Sequence, residues 1–309
     1  RLDAHRLIEE FMVLANVAAA ETLATKKQAL LYRVHEAPSP EKLEALREVA
    51  QASGLTFAKG QVLKTSHLNR LLAQAKDTDH AELVNISTLR SMTQAYYSPA
   101  HIGHFGLALP SYAHFTSPIR RYADLVVHRA LIASHGWGDD GLTPVDIEKL
   151  EQTATHISDT ERRAMLAERQ TVDRLIATHL SDKIGAEFEG RINGVTRAGL
   201  FVTLNETGAD GFVPISKIGD DYFIYDEVSH SVRGDHSGLV YQMGQPVSVK
   251  LVEAQPVAGA LRFEMLSEGR ESEGLPRLKR SRPGSPSGKP KRPGGGNKFG
   301  QRRSKGRKR

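Results

Sequence analysis

The apolar residues change their period once along the chain, near Gly185, and this change limits the possible folds more than any other feature of the sequence. Before it, they recur at helical spacing. Leu7, Phe11, Leu14, Ala15, Ala18 and Ala19 predict a helix over residues 6–25 with one buried face. Ser39-Pro40-Glu41 opens a second helix that stops near Gly54, and a third spans residues 81–96, halted by Ser98-Pro99. Ser117-Pro118 and Thr143-Pro144 repeat the same start signal, predicting a helix to about Ser134 and a long helical stretch to about Asp182. Residues 103–116 read as irregular. After Gly185 come five short runs rich in β-branched and aromatic residues, EFEGRI, GLFVTL, GFVPIS, PVSVKLVEA and ALRFEML, which predict a small β-barrel. Beyond the barrel Pro, Gly, Ser, Lys and Arg dominate. The expected fold class is therefore α+β and multidomain: a mainly helical part over 1–182, a barrel over 183–267 and a disordered basic tail over 268–309.

The formal charge of +6 hides an asymmetry. Residues 274–309 hold 14 Lys/Arg and no Asp/Glu, so the remainder carries a net −8. Such a tail either contacts a polyanion or simply solubilises the chain. With no cysteine there are neither disulfides nor thiolate metal sites. No run approaches the roughly 18–20 apolar residues of a membrane helix, and no secretory signal opens the chain, so a cytoplasmic location is expected. A chain that opens on Arg1 rather than Met, already close to a helix, reads as a partial sequence.

Candidate chemistry centres on residues 111–129, SYAHFTSPIRRYADLVVHR. If Ser117 caps a helix and Pro118 starts it, Arg120 and Arg121 fall in its first turn, beside the positive end of the dipole. That arrangement is unfavourable without an anionic partner. A phosphate suits it, with the Thr116 and Ser117 hydroxyls completing the cradle. The alternative is that an arginine pairs with a nearby carboxylate such as Asp124. Glu9 and Glu10 on the first helix, and Glu161 in SDTERRAMLAER, are either functional or ordinary helix-surface charges.

Taken together, IEEFMVLANVAAA, LYRVHEAPS, LRSMTQAYY, GHFGLALPSYAHFTSPIRRYADLVVHR and ERRAMLAER resemble the ribonuclease II/R (RNB) family across nearly all of residues 1–182. The resemblance implies processive hydrolysis of RNA from its 3′ end, releasing nucleoside 5′-monophosphates with the help of Mg²⁺. It implies that Arg120 contacts the reacting phosphate, that Arg121 assists, that Glu9 or Glu10 meets a ribose hydroxyl, and that Glu161 supports the arginine or the substrate. The family's closely spaced aspartate cluster, which holds the metal, has no counterpart here: Asp77/Asp79, Asp139/Asp140 and Asp220/Asp221 lie in unrelated contexts. Mg²⁺ is thus expected to be bound mainly by residues outside this chain, with no metal ligands in this segment, which alone is not expected to cut RNA.

Residues 185–266 resemble an S1 domain, an OB-fold variant that binds single-stranded RNA, carried by GRINGVTRAGLFVTLNETGADGFVPISKI. A following S1 barrel and a Lys/Arg-rich tail point to the ribonuclease R branch. Phe188, Phe201 and Phe212 are the candidate stacking residues and Arg191, Arg197 and Lys250 the candidate phosphate contacts, although a small barrel also needs aromatics inside. The tail suits contacts with the ribosome or RNA-decay partners, or folding back on the acidic body until RNA displaces it. Competing with the nuclease reading is a non-catalytic RNA-binding or adaptor protein. A structural protein using only barrel and tail explains neither GHFGLAL nor the paired arginines.

Overall fold

A computed structural model describes residues 2–271 apart from 58, 59, 61, 79 and 228; the expected basic tail lies outside the described residues. The elements run α1 (Asp3–Thr25), β1 (Tyr32–Val34), α2 (Pro40–Ala52), α3 (Thr65–Ala75), α4 (Ala81–Ser91), β2 (Tyr96–Ser98), α5 (Tyr122–His135), α6 (Pro144–Glu148) and α7 (Leu150–Leu180). Then follow β3 (Glu187–Thr196), β4 (Gly199–Leu204), β5 (Asp210–Pro214), β6 (Phe223–Asp226), β7 (Ser231–Gly234), β8 (Leu239–Gln242), β9 (Pro246–Gln255), β10 (Ala260–Met265) and β11 (Arg270–Glu271).

Two of the three Ser/Thr-Pro signals start helices as expected. Ser39 accepts a hydrogen bond from the Lys42 amide, and Thr143 accepts one from the Asp146 amide. The third does not. The helix expected at Ser117 begins only at Tyr122, because the Ser117 amide donates to Asp124 Oδ1 at 2.7 Å and residues 117–120 close as a turn. The helix expected to reach residue 96 ends at Ser91, and Tyr96–Ser98 instead pairs antiparallel with Tyr32–Val34. Helix α3 had no expectation in the sequence. The single buried face expected for α1 is also corrected. Asn16, Ala19, Ala20 and Leu23 are buried, whereas Leu7, Phe11, Leu14 and Ala18 are exposed.

The five β runs form a closed barrel in the order β10-β5-β4-β3-β9, antiparallel except where β10 and β5 close it in parallel. Alternation fills the interior: Val247, Val249 and Leu251 of β9 and Leu261, Phe263 and Met265 of β10 point inward. Gly211 is required opposite Phe263, since a Cβ there would lie 2.1 Å from the ring. Between β5 and β9 the chain inserts β6, β7 and β8, and β11, which follows the barrel, pairs with β8 to complete a second sheet, β11-β8-β7-β6, that the sequence did not announce. Barrel and helical body share one apolar core, in which Val49, Leu83, Ala177 and Leu180 pack with the barrel interior. Among the described residues no helix is long and apolar enough to cross a membrane.

Candidate functional site

The paired arginines lie just before α5, on the Ser117–Arg121 turn, and they have different fates. Arg121 Nη2 donates to Asp124 Oδ1 at 2.8 Å, and the Asp124 side chain is fully buried. One carboxylate oxygen thus ties both the turn, through the Ser117 amide, and the second arginine. For Arg121 the carboxylate alternative holds. Arg120 is exposed and has no ion-pair or hydrogen-bond partner among the described residues for its guanidinium. Thr116 Oγ1, Arg121 Nε and Asp124 Oδ2 are buried without a partner among these residues, an unusual concentration of unmet polar groups in one turn.

Behind the turn stands a network that reaches across the helical body. Glu161 of α7 is not a free surface carboxylate: it forms a bidentate pair with Arg33 of β1 at 2.7 and 2.9 Å. The Arg33 guanidinium lies 4.6 Å from the centre of the Tyr97 ring. The Tyr97 hydroxyl meets His114 Nδ1 at 2.9 Å, and the Tyr97 amide donates to Ser158 Oγ of α7 at 3.0 Å. Burial pushes His114 down to about 3, helped by the charges of Arg121, Arg33 and Arg120, so the ring is neutral near pH 7. Helix α1 reaches the same segment through Asn16, whose Oδ1 accepts from the Phe115 amide at 2.8 Å and whose Nδ2 donates to the Tyr112 hydroxyl at 3.0 Å. Glu9 and Glu10 sit on the exposed half of α1. The sequence reading missed Asn16, Arg33, Tyr97 and His114 as site residues, although all four lie inside the segments that carried the resemblance.

On the barrel the candidate aromatics separate. Phe188 does not face outward: it stands opposite Val249 and packs against the barrel core, as strand alternation dictates between exposed Glu187 and Glu189. Phe201 is 42% exposed and pairs in register with Phe212, their ring centroids 5.1 Å apart on the outer face of β4 and β5. Arg197 is exposed in the β3–β4 turn, and Arg191 is exposed but donates to the Gly244 carbonyl at 2.7 Å. Lys250 stands between Glu187 and Glu264 in register, and Glu264 is itself paired with Lys217 at 3.3 Å.

With this geometry in view, the comparisons with known proteins are consistent. The RNB domain family matches residues 1–135 and the S1 RNA binding domain family matches residues 181–265. The chain is 37% identical to ribonuclease R of Escherichia coli over 316 residues, covering 100% of this chain and 38% of that protein. It is 40% identical to ribonuclease R of Vibrio cholerae over 283 residues, 89% of this chain and 34% of that one. The apo form of Mycoplasma genitalium RNase R superposes with a TM-score of 0.78 at 33% identity, covering 86% of this chain and 42% of that one. The chain belongs to the ribonuclease R (RNB) family. It spans less than two fifths of the length of these two curated relatives.

Ribonuclease R family membership raises the question of a metal, and the donor set answers it for this segment. Among the described residues no three His, Asp or Glu side chains converge to hold an ion. Asp221, one of the few clustered acids, is committed to a turn, accepting from the Ser237 amide and hydroxyl at 2.7 Å each and from the His236 amide. The residues described do not fit a magnesium centre.

Proposed function

We propose that this chain is the C-terminal portion of a cytoplasmic 3′–5′ exoribonuclease that hydrolyses single-stranded RNA processively to nucleoside 5′-monophosphates. The observation that carries the reading is Arg120: an exposed guanidinium without a carboxylate partner among the described residues, on a turn held rigid by buried Asp124, in a chain of the ribonuclease R family. Arg120 binds the reacting phosphate and offsets the charge that builds on its oxygens in the transition state. Arg121, oriented by Asp124, and the Thr116 and Ser117 segment form the near wall of the phosphate cradle. Glu161 acts at one remove, by holding Arg33 against Tyr97.

Of the two α1 carboxylates, Glu9 is assigned to the ribose hydroxyl. It is seven residues before Asn16, hence on the same helix face, whereas Glu10 is turned away. Phe201 and Phe212 are assigned to base stacking and Arg191 and Arg197 to the passing phosphates. Phe188 is withdrawn from that role, and Lys250 is the weakest candidate. The Mg²⁺ this chemistry uses is assigned to carboxylates outside these residues. Ribosome and RNA-decay partners are assigned to the basic tail.

The test is digestion of a 5′-labelled RNA with a 3′ single-stranded tail in Mg²⁺. It compares this chain, its Arg120→Ala variant, and both joined to the portion of the E. coli relative that lies outside the match. Stepwise shortening from the 3′ end by the joined chain, reduced at least a hundredfold by Arg120→Ala, is expected. RNA binding without shortening in any of the four favours the adaptor reading instead.

A further inference from the structure

The outer face of the barrel and two helices of the body enclose a hollow that draws its lining from both. It measures about 350 Å³ and is lined by Phe201, Phe212 and Asn193 of the barrel together with Arg90 of α4 and Arg169 of α7. The β9–β10 turn can approach α7 this closely because Gly259 sits at φ +67°, where a Cβ would meet Asp173 and the Arg174 amide at 3.0 and 3.1 Å. A second hollow of about 220 Å³ adjoins it, sharing Phe212, Ala260 and Leu261 and adding Arg262. Phe212, in register between Phe201 of β4 in the first hollow and Arg262 of β10 in the second, lines both.

The polar groups of the first hollow are a hydrogen-bonded acceptor and two cations beside it. Two residue pairs along from Phe201 and Phe212, and so on the same face, Thr203 faces Asp210. Asn193 Nδ2 donates to Thr203 Oγ1 at 2.6 Å and to Asp210 Oδ1 at 2.8 Å. This hydrogen-bonded acceptor repels phosphate but suits the donor edge of a base stacked on the rings. Next to it, Arg90 Nη2 donates to the Asn193 carbonyl at 3.0 Å, a neutral partner that leaves its charge uncancelled. Arg169, 73% exposed, is only 3.9 Å from each of Asp173 and Asp210, contacts weak enough to exchange for a phosphate.

We propose that two consecutive nucleotides of single-stranded RNA bind here, one base on each side of Phe212, with the linking backbone held by Arg90 and Arg169. The helical body thus completes the RNA-binding face of the S1 barrel, and the two act as one surface. The proposal rests on the RNA-binding reading of the barrel given above.

The experiment is fluorescence anisotropy with a labelled single-stranded RNA of about ten nucleotides, without Mg²⁺, over a series of salt concentrations. Phe201→Ala is expected to weaken binding about tenfold. Arg169→Gln and Arg90→Gln are each expected to weaken it about three- to tenfold at low salt and to lower the salt slope by about 0.7. The Phe201→Ala/Arg169→Gln double variant loses less than the product of the single effects, because both groups hold the same nucleotide. Arg70→Gln, an exposed arginine on α3, binds like the parent. Weakening by Phe201→Ala with both pocket arginine variants unchanged, or effects that multiply independently, overturns the composite site and leaves barrel binding intact. An unchanged Phe201→Ala variant, or no binding by the parent chain, overturns both.

Discussion

The barrel and the helical body solve the burial problem differently. The barrel closes on itself: each of its five strands has two neighbours, and its alternating residues fill one interior around Phe263. The body does not. Leu7, Phe11 and Leu14 on α1 are 56%, 58% and 64% exposed, and residues 162–172 in the middle of α7 are exposed on every side. Apolar pattern in the barrel therefore reports contacts that are present, whereas in α1 it marks a face that nothing among the described residues covers. A hydrophobic stripe shows that a face is suited to burial, not what buries it.

The largest effect that tests this contrast comes from paired truncations. Phe263→Ala removes a fully buried ring and is expected to cost about 3–5 kcal/mol in urea unfolding. Leu7→Ala, on the open α1 face, should stay within about 0.5 kcal/mol. A comparable loss at Leu7 would mean that the α1 face is covered in solution, for example by a second copy, and the contrast would fail. Within the body, Asp124→Ala strands Arg121 and the Ser117 amide at a fully buried position and is expected to cost about 3 kcal/mol. A variant as stable as the parent would show that the turn is held by something other than this carboxylate.

The same contrast governs what could be read from the sequence. The five barrel strands were legible because β-branched and aromatic residues alternate with polar ones over runs bounded by glycine. The inserted sheet was not, since its strands are four residues or shorter and polar residues such as Asp226, Ser231 and Arg233 interrupt them. At the candidate site, Arg120 and Arg121 were visible in TSPIRRY, but their setting was not. The local Ser-Pro signal favoured a cap at Ser117, and a tertiary bond from its amide to Asp124 overrode it. Arg33 was hidden for a different reason: its partner Glu161 is 128 residues away, and Asn16 binds the Phe115 amide across 99. No spacing rule reaches that far.

A pH titration probes the body from within. The neutral His114 ring has its folded value lowered from 6.5 to about 3, chiefly by burial, and His104 is lowered to about 4 for the same reason. Below pH 6.5 the unfolded chain takes up protons that these rings refuse, so stability should fall as the pH drops from about 6.5 toward 4. For His114 the slope is about 1 kcal/mol per pH unit. The urea midpoint followed across that range should decline less steeply in His114→Gln. An unchanged slope in that variant would mean that His114 takes up its proton in the folded state.

The smallest effect separates two signals that look alike in sequence. Ser39-Pro40 and Ser117-Pro118 have the same form, yet only Ser39 caps a helix, its hydroxyl accepting the Lys42 amide at 3.4 Å. Ser39→Ala is therefore expected to cost about 1 kcal/mol. Ser117→Ala should cost only a few tenths, because the Ser117 turn is held through its backbone amide, which alanine retains. Equal losses would place the Ser117 hydroxyl in a bond that the turn needs, making it a structural group rather than one free to meet a phosphate. A difference of the expected size leaves that hydroxyl available, so a measurement of folding discriminates between two uses of the same dipeptide. It also gives a control for RNA binding: if Ser117→Ala is as stable as expected but binds RNA more weakly, the loss belongs to the ligand contact and not to the turn.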